Sequence, residues 1–122
     1  MIEHYFLEIE ELISLFPYIH SYQLTKKIYN LKQGYIKGEI IFDNGFILEF
    51  AEVKNTELNS KIKYRYQLMN KDRALIFRYD NAPHHKQLAT FPHHKHIELE
   101  HNVIESCEPT LLSVLLEIKN LP

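Results

Sequence analysis

The sequence predicts an α+β domain in which an antiparallel, twisted sheet of about five strands is flanked by an N-terminal and a C-terminal helix. Three observations predict it. Apolar residues recur three and four apart at both ends of the chain, strict alternation runs through Lys61–Met69 and Ala74–Asp80, and Asp43-Asn44-Gly45 separates two apolar runs. A chain of 122 residues has room for one hydrophobic core, so residues 1–122 are read as a single domain that needs neither disulfide nor metal to fold.

The N-terminal helix rests on Ile2, Tyr5, Phe6, Ile9, Leu12, Ile13 and Phe16, whose spacing lines one helical face, and Pro17 ends it. Tyr18–Ile28 is weakly patterned and compatible with extended chain. Tyr35–Phe42 reads as a strand, and Phe46–Val53 as its partner across the Asn-Gly turn. After a polar loop over Asn55–Ser60, a second hairpin puts Ile62, Tyr64, Tyr66 and Leu68 on one face and Lys61, Lys63, Arg65 and Gln67 on the other. With a two- or four-residue loop in Asn70–Arg73, Tyr66 faces Phe77, Tyr64 faces Tyr79, Lys63 faces Asp80 and Arg65 faces Arg78. Opposed guanidiniums are unfavourable unless an anion lies between them. Asn81-Ala82-Pro83-His84-His85 is a turn by composition, and Pro92 precedes a His-rich run leading into a strand through Ile97 and Leu99. The last helix spans Pro109–Lys119, with Leu111, Leu112, Leu115 and Ile118 inward and Pro109 in its first turn.

The formal net charge of −2 conceals an asymmetry: Lys61–His96 holds eight basic residues against Asp72 and Asp80, a local +6 that leaves −8 elsewhere. Such a segment suits an anion site, and equally a solvated strand surface. The lone Cys107 fits a reducing cytosol and, with no basic partner near it in sequence, is read as a small buried or half-buried residue rather than a nucleophile. Met1-Ile2-Glu3-His4 lacks the charged flank and apolar run of a signal peptide, and no stretch is apolar enough to span a bilayer. A cytoplasmic protein without membrane contact is expected.

Six of the eight histidines lie between His84 and His101. Imidazole is the side chain that both gives and takes protons near neutral pH. Cleavage of RNA without metal needs a base for the 2′-hydroxyl, an acid for the leaving oxygen and cations for the phosphoryl oxygens. His84, His93, His94 and His96 are the candidate acid and base, with Asp80 orienting one of them or pairing with Lys63. Arg65, Arg78 and Lys95 are the candidate phosphate-binding cations. Asp80, His84, His85, His93, His94 and His96 also offer ligands for zinc or nickel, with His94 and His96 on one strand face, although no zinc-site spacing motif is present and no cofactor is expected. Tyr64, Tyr66 and Tyr79 are read as core residues rather than base-stacking platforms.

The strings Phe77-Arg78-Tyr79-Asp80-Asn81-Ala82-Pro83-His84-His85 and Thr90-Phe91-Pro92-His93-His94-Lys95-His96, with Tyr64-Arg65-Tyr66 before them and Glu108-Pro109-Thr110-Leu111 after them, resemble the TumE-type toxins of type II toxin–antitoxin modules. The resemblance implies a growth-inhibiting protein neutralised by a cognate antitoxin, expected to be a helix-turn-helix protein. Ribonuclease activity, with RNA as partner, is inferred from the histidines and arginines rather than from the likeness. The alternatives are a non-enzymatic binding module and a metal-dependent phosphohydrolase using the same histidines.

Overall fold

The computed structural model describes residues 1–122. In chain order it contains α1 (Ile2–Ser14), β1 (Ile19–Ile28), β2 (Gln33–Phe42), β3 (Ile47–Asn55), β4 (Lys63–Met69), β5 (Leu75–Asp80), β6 (His94–Ile97), β7 (Leu99–Glu105) and α2 (Leu111–Lys119). The α+β class holds, with a sheet of seven strands in the order β1-β2-β3-β4-β5-β6-β7, every neighbouring pair antiparallel.

The strands beyond the expected five lie at the rims. β1 is exposed along nearly its whole length on both faces, which erases the alternation that marks a half-buried strand, and its backbone pairing to β2 alone defines it. β7 is similarly exposed and turns back from β6 through Glu98, whose φ is 62°. Lys26 and Lys27 on β1, and Glu100 and Glu105 on β7, discourage further strands from adding to these edges.

Both helices pack on the same face. α1 buries Ile2, Phe6, Ile9 and Ile13, while α2 buries Leu111, Val114, Leu115 and Ile118, and all eight join Ile36, Ile40, Leu48, Phe50, Tyr64, Tyr66, Leu68 and Phe77 in one core. The α2 expectation needs correction. Leu112 is 44% exposed and Val114 takes its place inside, because the helix starts later than Pro109. Thr110 is the N-cap, accepting the Ser113 N–H while Ser113 reciprocates, and this capping pair sets the helical phase.

The register of the second hairpin also differs. Asn70 and Ala74 close a three-residue loop with Arg73 at φ 64°, and the extra residue Ile76 then shifts the ladder between Leu68–Phe77 and Met69–Leu75. Arg65 therefore faces Asp80, Tyr66 faces Tyr79 and Gln67 faces Arg78; the expected Arg65–Arg78 opposition does not form. Cys107, in the connection between β7 and α2, is exposed rather than buried or half-buried. No helix is long and apolar enough to cross a membrane.

Candidate active site

The face of the sheet without helices carries the chemistry, and strand register assembles it. One row of paired residues runs Lys37, Ala51, Arg65, Asp80, His94, Glu105; the next runs Glu39, Glu49, Gln67, Arg78, His96, Val103. Partners in a row share a face, so Arg65, Arg78, Asp80, His94 and His96 fall together although up to 31 positions separate them. The connection from Asp80 to His94 folds back over them. Its first turn is tied down by Asp80 Oδ1, which accepts the Ala82 N–H at 3.0 Å, and by Asn81, whose side chain accepts the Tyr64 N–H at 3.0 Å and donates to the Ile62 carbonyl at 3.2 Å. His85, at φ 59°, then lays its ring across His94 and His96, with centroids 4.9 and 5.8 Å away.

The result is an open cleft of about 510 Å³, lined among others by Lys63, Arg65, Arg78, Asp80, His84, His85, His94, His96 and Glu100. Asp80 is its hub. Oδ1 lies 2.9 Å from His94 Nε2, and Oδ2 lies 3.1 Å from Arg78 Nε and 3.5 Å from His96 Nε2. The other nitrogen of each buried ring meets a backbone carbonyl, Pro92 at 2.9 Å for His94 and Glu100 at 2.7 Å for His96. A nitrogen of each of His85, His94 and His96 lies within 4.8 Å of the other two. His84 is exposed at the rim, 6.4 Å from His85 between centroids.

The two arginines differ in availability. Both terminal nitrogens of Arg78 donate to Glu100, which raises the guanidinium pKa further and lowers that of Glu100. Arg65 is exposed and bonded only to Gln67, at 2.6 Å, and Lys63 beside it has no ion-pair partner. Loss of some solvation lowers the His85 pKa first, and the neighbouring imidazoles of His94, His96 and His84 lower it further, so this ring is neutral at physiological pH.

Two residues expected at the site lie on the helix side of the sheet. Lys95 alternates away from His94 and His96; its ammonium sits over the rings of Phe77 and Tyr79 and pairs with Glu117 at 2.7 Å. Loss of solvation lowers the Lys95 pKa, but Glu117 and Tyr79 together outweigh it and raise the value. His93 stacks on Tyr64 and meets its hydroxyl at 2.9 Å. In exchange the cleft includes His85, weighed in the sequence only as a metal ligand, together with Lys63 and Glu100. The His-His doublet was the signal for His85, whereas nothing in sequence marks Glu100, which β7 brings to Arg78.

The family model described as Toxin TumE matches residues 9–121. The chain belongs to the TumE toxin family. Membership makes it the toxin of a toxin–antitoxin module and implies an antitoxin partner. No curated protein and no solved structure matches this toxin. The match extends through both helices and the whole sheet apart from the first turns of α1, so the TumE likeness covers every residue of the cleft.

Proposed function

We propose that this toxin is an endoribonuclease that binds and cleaves a phosphodiester in the cleft between β4, β5, β6 and the connection that carries His84 and His85. One observation carries the reading: two cations free of ion pairs, Lys63 and Arg65, line the same solvent-open cleft as four imidazoles. Phosphate anchors and proton-transfer groups thus share one place, as cleavage through the 2′-hydroxyl requires. In the metal-free form of the reaction His84 and His85 are the acid–base pair, since neither ring is held by a hydrogen bond and His85 is neutral; His94 and His96 stay locked by carbonyls and Asp80. A second form, hydrolysis assisted by a divalent ion, is favoured by the convergence of the His85, His94 and His96 nitrogens.

The toxin freed of its antitoxin is incubated with RNA in EDTA and then with added divalent ions. Cleavage in EDTA supports the imidazole pair, and cleavage restored only by the ion supports the second form. Absence of cleavage in both arms overturns the nuclease reading and leaves a docking surface. His84→Ala and His85→Ala together are expected to slow cleavage by about 100-fold or more. The antitoxin is expected to be a helix-turn-helix protein, and its affinity for that variant should be unchanged.

A further inference from the structure

We infer that His85, His94, His96 and Asp80 form a binding site for one divalent transition-metal ion, with zinc the best fit. The hydrogen bonds of the buried rings point to it. The Pro92 and Glu100 carbonyls can only accept, so Nδ1 of His94 and of His96 donates to them and Nε2 is the nitrogen each ring turns into the cleft. Both Nε2 atoms face the Asp80 carboxylate, at 2.9 and 3.5 Å. One metal ion meets both Nε2 atoms and the carboxylate at once, and His85 supplies a third nitrogen from above.

The dimensions agree. Zinc with ligands at about 2.0–2.1 Å spaces adjacent ligand atoms about 3.4 Å apart in a tetrahedron. The Asp80 oxygens lie 2.9 and 3.5 Å from the His94 and His96 nitrogens, and the three imidazole nitrogens, within 4.8 Å of one another, would close on the ion by side-chain rotation. Carbonyl-bound Nδ1–H groups are also the outer partners that fix the tautomer of metal-ligating histidines. Three imidazoles and one carboxylate suit zinc, nickel or ferrous iron and disfavour magnesium or calcium, which prefer all-oxygen shells. With these rings on the ion, His84 is the cleft imidazole left for proton transfer. The inference selects the metal-assisted form of the proposed reaction, yet it stands on the site's own geometry, whether or not RNA is cleaved.

The test is calorimetric titration of zinc chloride into the full-length chain, purified without an affinity tag and stripped with chelator. One ion per chain with a Kd below about 1 μM is expected, and cobalt in its place should show the visible absorption of a four-coordinate ion. His85→Ala, in the exposed connection, should weaken zinc at least tenfold without lowering the apo melting temperature; His96→Ala should weaken zinc as much but lower the apo melting temperature, because its ring is buried and hydrogen-bonded, and His20→Ala, on β1, should change nothing. Weak binding of several ions, or zinc affinity indifferent to His85→Ala and His96→Ala, is surface-histidine chelation and overturns the inference. Because RNA is absent from the titration, a chain that binds zinc but cleaves nothing overturns the nuclease reading alone.

Discussion

Asp80, 8% exposed, accepts from the Ala82 amide and Arg78 and stands against two imidazoles, so its removal leaves the Ala82 N–H and Arg78 Nε without their acceptor in a poorly solvated site. Asp80→Ala should lower unfolding stability by about 3 kcal/mol, measured by denaturant titration. A second buried carboxylate, Glu52, 1% exposed, accepts from the hydroxyls of Tyr5 and Tyr66 under the helices. Burial first, and Glu52 next, raise both phenol pKa values above the ordinary 10.0. The native state therefore holds these protons more tightly than the unfolded chain. The stability they contribute is present below pH 10 and declines as pH rises beyond it; Tyr5→Phe with Tyr66→Phe should flatten that alkaline decline in melting temperature. Single side chains were legible where alternation rules them. His94 and His96 share a face as expected, and the same rule sends Lys95 to the other. Residues in the long connection obey no period, which is why His85 gained its place only from the fold.

Two hairpins turn the chain in the same way, each through a three-residue loop whose last member has positive φ: Gly45 at 89° in one, Arg73 at 64° in the other. Glycine announces such a conformation and arginine conceals it. The second register departs from the expected one for that reason, and the bulged Ile76, also without a sequence signal, shifts it further. These two irregularities shape the cleft, because they slide Asp80 beside Arg65 and Arg78 beside Gln67. Arg73→Gly should raise stability by up to about 1 kcal/mol by relieving the left-handed strain, offset slightly by loss of its exposed pairs with Glu39 and Glu49. Thermal unfolding of the variant checks the sign. The central strands and α1 were readable because each buries one face; β1 and β7 were not, since edge strands bury neither face well.

Across the whole molecule, a meander with both helices on one face leaves the other face open, and successive antiparallel registers stack distant polar residues into rows on it. The toxin's segment of +6 is partly neutralised there, Arg78 by Asp80 and Glu100 and Lys95 by Glu117 on the far side, so the free positive charge of the cleft rests on Lys63 and Arg65. Family membership makes the chain a toxin, and the cleft is where we place its action. Growth arrest on expression without the antitoxin tests that placement most directly. In cells producing equal amounts of folded protein, His84→Ala with His85→Ala should abolish arrest while the antitoxin is still bound; full arrest by this variant would contradict the cleft as the seat of toxicity.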